Sequence, residues 1–291
     1  MATGIIIIDK PQGWTSQDVA ARLRRVFATR RIGHGGTLDP MATGVLPVFV
    51  GRATRAVEFF ENAQKEYIAT LRLGLLTDTE DTSGKVLQTR PVTAAREEVE
   101  AVLTQFLGKQ MQVPPMYSAV KIEGKKLYEL ARQGKTVERQ PRPIEIFALE
   151  LLDRQGVDCR IRVQCSKGTY IRTLCKDIGL ALGCGGTMAA LRRSRAGAYS
   201  LEDAMELQDL LDRSERGQDV EGLLRPVDTM FSQCPGVRLS PKQEKLCRNG
   251  GAFASDLPPG DYRLYGAEEF LALGQCRDGQ MRTVKSFFEV I

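Results

Sequence analysis

The chain has 291 residues, 42% of them hydrophobic, and a formal net charge of +5, which is ordinary for a globular protein with one large and one small domain. Its seven cysteines are odd in number and include no C-x-x-C pair, which argues against a disulfide framework or a zinc site and favours reduced thiols. There is no secretory signal and no apolar run of membrane-spanning length, so we expect a cytoplasmic protein without a membrane partner.

The chain begins with a predicted strand and a predicted helix. Residues 4–8 form an apolar, β-branched run that is typical of a buried strand. Thr15 or Ser16 can cap the helix that follows, and apolar residues recur along it at helical spacing. The other face of this helix and the segment after it carry arginines that are either solvated or phosphate-facing: Arg22, Arg24, Arg25, Arg30 and Arg31.

Residues 31–44, R-I-G-H-G-G-T-L-D-P-M-A-T-G, are predicted to form a shaped loop. Glycine loses the most backbone entropy in a helix, and the residue before a proline is pushed out of the helical region. The loop holds the only histidine of the chain, His34, and places Asp39 directly before Pro40. On the loop alone, Asp39 is either a turn residue or a carboxylate presented for chemistry.

Further strands, a helix and an acidic turn are predicted next. Residues 45–50 and 67–73 are expected to form strands, with a short helix at 53–60 between them. Residues 77–84 fail the EF-hand spacing and are predicted to be an acidic turn. Thr93 is predicted to cap a helix that ends at Phe106, with Leu107 on its apolar stripe.

Residues 114–140 are a loop-rich segment in which basic and aromatic residues alternate. Lys121, Lys125 and Lys126 interleave with Tyr117 and Tyr128, and residues 109–176 carry fourteen Lys/Arg against seven Asp/Glu. This pattern favours a nucleic-acid clamp, and a surface hairpin with a short helix and solvated lysines is the alternative.

The second half is predicted to contain two strands, at 144–152 and 159–165, followed by three helices. The first helix carries Tyr170 and Arg172 in its first turn, and the second begins after Gly185 and includes Leu191, Arg192 and Arg193. Ser200 is predicted to cap the third. Cys234-Pro235-Gly236 indicates a domain boundary before a small β module.

Few catalytic motifs are available to this chain. With one histidine, a Ser-His-Asp triad could involve only His34, and the chain contains no G-x-S-x-G elbow, phosphate loop, G-x-G-x-x-G or metal-ligand spacing. A carboxylate can instead act as a covalent nucleophile if a nearby arginine favours its ionised form.

The motifs taken together resemble the bacterial tRNA pseudouridine-55 synthases, the TruB family. They occur in the family's order up to about residue 230, and the resemblance is weaker beyond residue 234. The matching segments are G-I-I-I-I-D-K-P-Q-G-W-T-S (4–16), G-H-G-G-T-L-D-P-M-A-T-G-V-L-P (33–47), K-E-Y (65–67), L-G-L-L-T-D-T-E-D-T-S-G (73–84), P-P-M-Y-S-A-V-K-I-E-G-K-K-L-Y-E-L-A-R-Q-G (114–134), S-K-G-T-Y-I-R-T-L-C-K-D-I-G (166–179) and L-R-R (191–193).

The resemblance implies an α+β pseudouridine synthase fold, with a mixed, mostly antiparallel central sheet flanked by helices. A catalytic domain would span 1–233, with a thumb-like insertion at about 110–142, and 234–291 would form a small PUA-like RNA-binding β domain. The implied reaction is isomerisation of uridine 55 in the T-loop of tRNA by base flipping, without a cofactor or metal. The implied partner is the T-arm stem-loop, and we expect a monomer with no obligate protein partner.

The resemblance also implies roles for individual residues. Asp39 would be the nucleophile, Tyr67 would stack on the uracil and handle the proton at C5, and Arg172 would pair with Asp39. The expected substrate-binding residues are His34, Tyr170, Leu191 and Lys10. The expected further RNA contacts are Lys121, Lys125, Lys126, Arg192 and Arg193.

Two other functions compete with this one. A tRNA-binding folding factor, an RNA chaperone without essential catalysis, would use the same basic surface but would have no need of an aimed carboxylate. A glycoside hydrolase would need a second carboxylate about 5–10 Å from the first. Its candidates are Asp78, Glu80 and Asp81, and nothing in the sequence connects them to Asp39.

Overall fold

A computed structural model describes residues 2–122 and 124–289. Glu123 of the predicted insertion and the last two residues of the predicted C-terminal module, Val290 and Ile291, lie outside the described residues, as does Met1. The helices are α1 (Ser16–Val26), α2 (Val57–Phe60), α3 (Arg96–Thr104), α4 (Leu127–Arg132), α5 (Ile171–Ala181), α6 (Leu207–Glu215) and α7 (Pro241–Arg248). No helix in this part of the chain is long and apolar enough to cross a membrane.

The strands are β1 (Gly4–Lys10), β2 (Ile32–His34), β3 (Thr43–Val50), β4 (Lys65–Leu73), β5 (Leu75–Thr77), β6 (Val86–Thr89), β7 (Gly108–Gln112), β8 (Lys121–Ile122), β9 (Lys125–Lys126), β10 (Arg142–Gln155), β11 (Asp158–Cys165), β12 (Gly186–Ala196), β13 (Tyr199–Ser200), β14 (Met205–Glu206), β15 (Gly236–Arg238), β16 (Phe253–Ala254), β17 (Gly260–Tyr265), β18 (Phe270–Arg277) and β19 (Gln280–Ser286).

A ten-stranded mixed sheet forms the centre of the molecule. Its main path runs β14-β1-β3-β12-β4-β11-β10-β7, with β2 paired to β3 and β13 paired to β12. Among the described residues of this sheet, only the β1–β14 and β3–β12 pairs are parallel. The expected α+β class with a mostly antiparallel central sheet is therefore confirmed.

Strand β1 is buried on both faces, which explains why its sequence is apolar without alternation. Ile6 and Ile8 pack into a core cluster with α1 and α6, whereas Ile5 and Ile7 face a second cluster on the opposite side of the sheet. Both faces are covered, so a continuous apolar run is required. A third cluster lies between β4, β10, β11 and β12 and the helices α3 and α5.

The prediction of a helix after Gly185 is wrong, because residues 186–196 form the central strand β12. This strand pairs along its length with β4, from Gly186 opposite Leu73 to Ala196 opposite Lys65. Register shifts between Met188 and Ala190 and between Arg193 and Arg195 interrupt the pairing. These irregularities break the alternation of buried and exposed side chains, which is the signal that identifies a strand in sequence.

Two helix starts were also misplaced. The carboxylate of Asp203 accepts a hydrogen bond from the backbone N–H of Ser200 (2.8 Å), but the turn that follows is a single 3-10 turn, and α6 begins only at Leu207, after β14. Helix α3 begins at Arg96 rather than after Thr93, because Glu98 accepts a hydrogen bond from the backbone N–H of Ala95 (2.6 Å). This helix ends at Thr104, which leaves Leu107 exposed.

The segment after residue 234 forms a five-stranded sheet with α7. Its strand order is β15-β17-β18-β19-β16. Leu273 and Phe287 from this part of the chain share a core cluster with Phe231 and with Ile5 and Ile7 of β1. Arg55 adds a hydrogen bond to the carbonyl of Ser286 (3.0 Å). The small sheet therefore packs directly against the large one.

Candidate active site

A buried lysine fixes the backbone immediately after Asp39. Lys10 at the end of β1 is fully buried, and its Nζ donates hydrogen bonds to the carbonyls of Trp14 (2.6 Å), Pro11 (2.9 Å) and Pro40 (3.4 Å). Burial lowers the pKa of Lys10 to about 8, and the negative charge of Asp39 opposes this shift. Lys10 therefore lies behind the loop and holds its backbone in position.

The residue before Asp39 is held from the same side. The buried hydroxyl of Ser16, the first residue of α1, accepts a hydrogen bond from the N–H of Leu38 (2.9 Å) and lies 3.3 Å from its carbonyl oxygen. The N–H of Gly13 donates to the carbonyl of Pro40 (2.7 Å). Residues on both sides of Asp39 are thus locked to the first motif of the chain. The sequence indicates Ser16 only as a possible helix cap, and its contact with Leu38 was not predicted.

Asp39 pairs with Arg172, as the resemblance implied. The Nε of Arg172 lies 2.9 Å from Oδ2 of Asp39, and the two side chains are 6% and 37% exposed, respectively. The remaining guanidinium nitrogens donate to the carbonyls of Thr79 (3.1 Å) and Tyr117 (2.8 Å). The arginine is therefore immobilised inside the protein, and it presents a carboxylate that is still accessible from outside.

The acidic turn, which nothing in the sequence connects to Asp39, lies close to it through Arg172. The Oδ2 of buried Asp81 lies 4.0 Å from the Nε of Arg172, so two carboxylates face one guanidinium. Glu80, with a positive φ of 64°, anchors the turn to α5 by accepting hydrogen bonds from Thr173 (2.6 Å) and Lys176 (2.5 Å). No spacing rule predicts this connection, because the partners lie far apart in the chain.

Tyr67 and Arg193 are paired across the strands β4 and β12 beneath the loop. Burial raises the pKa of the Tyr67 phenol, and the positive charge of Arg193 partly opposes that shift. Arg193 is only 1% exposed, and it donates to the carbonyls of Val45 (2.7 Å) and Gly36 (3.1 Å). The prediction that Arg193 contacts RNA is wrong, because its guanidinium lies inside the protein and supports the loop.

Two other predicted substrate residues lie close to this centre. Leu191 is buried in the same apolar cluster as Leu38 and Tyr67. Tyr170 caps the N-terminus of α5, and the side chain of Gln112 binds both its N–H (2.8 Å) and its carbonyl (3.1 Å). Gln112 was not predicted, and its buried amide fixes the start of the helix that carries Arg172.

His34 lies at the rim of the loop, at the end of β2. Its Nε2 is 3.3 Å from Nε2 of Gln17 on α1, and its buried Nδ1 has no hydrogen-bond partner among the residues of 2–122 and 124–289. Burial lowers the pKa of the imidazole, and the charge of Arg193 adds to this shift. The ring is therefore mainly neutral at pH 7.

The other predicted RNA contacts lie outside this centre. Lys121 and Lys125 are exposed on the β8–β9 hairpin, and the Nζ of Lys126 lies 3.2 Å from the hydroxyl of Tyr128. Arg192 forms an ion pair with Asp9 (2.6 Å). In the described part of the chain, no group of three or more His, Cys, Asp or Glu residues is arranged to hold a metal ion.

Comparisons with known proteins give a consistent result. The N-terminal domain model of the TruB family pseudouridylate synthases matches residues 24–171, and the C-terminal domain model of tRNA pseudouridylate synthase B matches residues 172–232. The tRNA pseudouridine synthase B of Aromatoleum aromaticum is 43% identical over 94% of this chain and 88% of its own length. The protein of the same name from Burkholderia lata is 44% identical over 95% and 87%. A chain of a Cbf5-Nop10-Gar1 complex superposes with a TM-score of 0.73 at 28% identity, covering 99% of this chain and 85% of that chain.

Proposed function

The chain belongs to the TruB family of pseudouridylate synthases and is thus an isomerase that forms pseudouridine in tRNA, and we propose that its target is uridine 55 of the T-loop. The observation that carries the proposed mechanism is the Asp39–Arg172 pair. A half-exposed carboxylate, 2.9 Å from a buried guanidinium, sits on a loop whose backbone is fixed on both sides. Such an arrangement suits a nucleophile that must be charged, aimed and accessible.

In the proposed reaction, Asp39 attacks either C1′ of the ribose or the uracil ring. The N1–C1′ bond breaks, the uracil rotates, and a bond forms between C5 and C1′. The covalent bond between Asp39 and the substrate also breaks, which regenerates the free carboxylate. The proton at C5 leaves and N1 gains a proton, so atoms and charge balance without an oxidant or reductant.

Tyr67 is assigned to the uracil. Because burial raises the pKa of its phenol, the hydroxyl is protonated at neutral pH, which favours stacking over an initial role as the base at C5. A base at C5 would have to be the phenolate form of Tyr67, and Arg193 favours that form because its positive charge opposes the rise in the pKa of the phenol.

The proposed site also accounts for base flipping. Extruding a nucleotide costs a few kcal/mol, and stacking on an aromatic ring contributes about 1–3 kcal/mol per base. Leu38 and Leu191 give the pocket apolar walls that exclude water from the intermediate. Neutral His34 at the rim would contact the RNA as a stacking or wedge group, and Tyr170 would line the pocket.

We further propose how the rest of the chain serves the reaction. Residues 1–233 would form the catalytic domain, and the segment at about 110–142 would act as a thumb, placing Lys121, Lys125 and Lys126 against the T-arm. Residues 234–291 would form a PUA-like RNA-binding domain. The protein would act as a monomer in the cytoplasm, with no obligate protein partner.

The test is the Asp39→Asn variant, assayed by tritium release from C5-labelled uridine in a T-arm stem-loop. We expect binding within about twofold of the wild type and no release above background, because the amide has the same shape but is a poor nucleophile. Asp209→Asn, a change of the same kind on exposed α6, is the control and should release tritium normally. Appreciable release by Asp39→Asn would overturn the assignment, and binding without release by the wild type would favour the RNA chaperone.

A further inference from the structure

Helix α1 and the segment after it carry five arginines with little opposing charge. Asp18 is the one acidic residue between positions 14 and 31, and its carboxylate accepts hydrogen bonds from the N–H (2.9 Å) and hydroxyl (2.6 Å) of Thr15. Within residues 2–122 and 124–289, none of the five guanidinium groups forms an ion pair or a hydrogen bond. We call this surface the arginine face: Arg22, Arg24, Arg25, Arg30 and Arg31.

The arginine face adjoins the proposed active site. Helix α1 begins beside the catalytic loop, where Ser16 binds Leu38 and Gln17 reaches His34. At 1.5 Å per residue, the helix advances about 12 Å from Gln17 to Arg25. This length corresponds to about three to four nucleotides of a duplex strand, which rises 3.4 Å per nucleotide. A polynucleotide with one nucleotide in the pocket therefore has neighbouring phosphates within reach of the helix.

A cleft of about 420 Å³ runs along the same helix. Trp14 forms one wall, the small exposed side chain of Ala21 leaves space in the middle, and Arg22 and Arg25 supply positive charge. Asp18 also lines the cleft, but its carboxylate is held by the N–H and the hydroxyl of Thr15, and the two arginines outnumber it. A groove with an apolar wall and two unpaired guanidinium groups suits a sugar–phosphate backbone, because guanidinium forms bidentate, charge-assisted bonds with phosphate.

The surroundings favour RNA over a membrane or over a merely solvated helix face. The large apolar side chains Val19 and Leu23 of α1, and Phe27 directly after it, are buried in the core and cannot enter a bilayer. Helix α6, which packs in the same core cluster, mixes its own arginines with carboxylates. Its exposed charged residues are Asp209, Arg213, Glu215 and Arg216.

We propose that the arginine face is a phosphodiester-binding surface for the tRNA substrate, with Arg22 and Arg25 contacting backbone phosphates beside the flipped nucleotide. This inference rests on the proposed function, because it takes tRNA as the ligand. The arginine face would be a further RNA-contact surface, formed by α1 and the segment after it. It is separate in the chain from the insertion and the C-terminal sheet, which are the other proposed RNA-binding parts.

The experiment uses Arg22→Gln/Arg25→Gln in the full chain, since glutamine has nearly the helix propensity of arginine. The dissociation constant for a T-arm stem-loop is measured over a range of salt concentrations. The slope of log K against log salt should fall in magnitude by about one for each arginine. Turnover at saturating RNA should stay within twofold of the wild type, because neither residue touches the reacting atoms.

The matched control is Arg213→Gln/Arg216→Gln, which removes the same charge from α6 and should leave the slope unchanged. Arg22→Lys/Arg25→Lys keeps the charge and should retain the slope. If the double glutamine variant fails to fold, the single change Arg25→Gln at an exposed position carries the test, with an expected fall in the slope of about one. A slope and affinity equal to those of the control would overturn the inference. So would binding of the wild type to anionic phosphatidylglycerol vesicles together with an unaltered RNA slope. The readout is binding, so it is independent of whether the wild type releases tritium, which tests the proposed function alone.

Discussion

Replacing Arg172 with lysine keeps a positive charge in the site but removes the planar fork of the guanidinium. Arg172 faces four oxygens, on Asp39 (2.9 Å), Asp81 (4.0 Å), Thr79 (3.1 Å) and Tyr117 (2.8 Å). An ammonium group is a compact point charge and cannot span acceptors spread over this distance. We expect lysine to remain near the carboxylates and to leave at least one buried carbonyl unpaired.

The magnitude follows from the lost contacts. A hydrogen bond to a charged group contributes about 1.5–3 kcal/mol. If the transition state loses that much stabilisation because Asp39 is no longer held in position, the single-turnover rate falls about 10- to 150-fold, at 1.36 kcal/mol per factor of ten. One unpaired buried carbonyl lowers the free energy of unfolding by about 1–3 kcal/mol.

The assay is tritium release from a C5-labelled stem-loop under single-turnover conditions, with stability measured by urea unfolding. Arg72→Lys is the matched control, because Arg72 pairs with Asp158 through two bonds of 2.7 Å at the opposite end of β4 from Tyr67. That control should react within twofold of the wild type. A rate for Arg172→Lys within threefold of the wild type would refute the role of Arg172 in positioning Asp39.

Three other predictions concern the supports of the loop. Burial lowers the pKa of Lys10 from 10.5 to about 8. Between about pH 8 and 10.5, the unfolded chain therefore binds more protons than the folded chain, and the free energy of unfolding should rise with pH. Urea titrations of the wild type and of Lys10→Met check this, because the rise should be absent from the variant. Gly44→Ala should lower that free energy by about 3 kcal/mol or more, because φ is +103° and the new methyl group would clash with a carbonyl of β12, whereas Gly156→Ala, with a positive φ but open space, should cost only about 1 kcal/mol. Asp81→Asn should lower single-turnover tritium release about tenfold, by removing the second negative charge from the guanidinium that holds Asp39, and a rate equal to the wild type would contradict this.

The fold was predictable where local pattern and burial agree. Residues 67–73 alternate between buried and half-buried positions in β4, as their sequence indicates. Strand β12 was missed because its irregular pairing moves side chains off a strict period of two. Because β12 was predicted to be a helix, the different environments of two adjacent arginines were also not predicted. Neighbouring residues of a strand point to opposite faces, so Arg192 points outward to Asp9 and Arg193 points into the core.

The candidate active site was predictable only in part from the residues themselves. Asp39 alone could be a turn residue, and the family motifs, rather than any local rule, paired it with Arg172. Complete burial of Lys10 was not foreseeable, because lysine is almost never fully buried and its partners here are backbone carbonyls. The connection of Asp81 to Asp39 depends on three segments that meet only after folding.

The most direct test of the proposed activity is to map pseudouridine in tRNA from cells that lack this protein, complemented with the wild type or with Asp39→Asn. We expect pseudouridine at position 55 to be absent without the protein, restored by the wild type and absent with Asp39→Asn at equal protein levels. Pseudouridine at position 55 in cells that carry only Asp39→Asn would contradict the central claim.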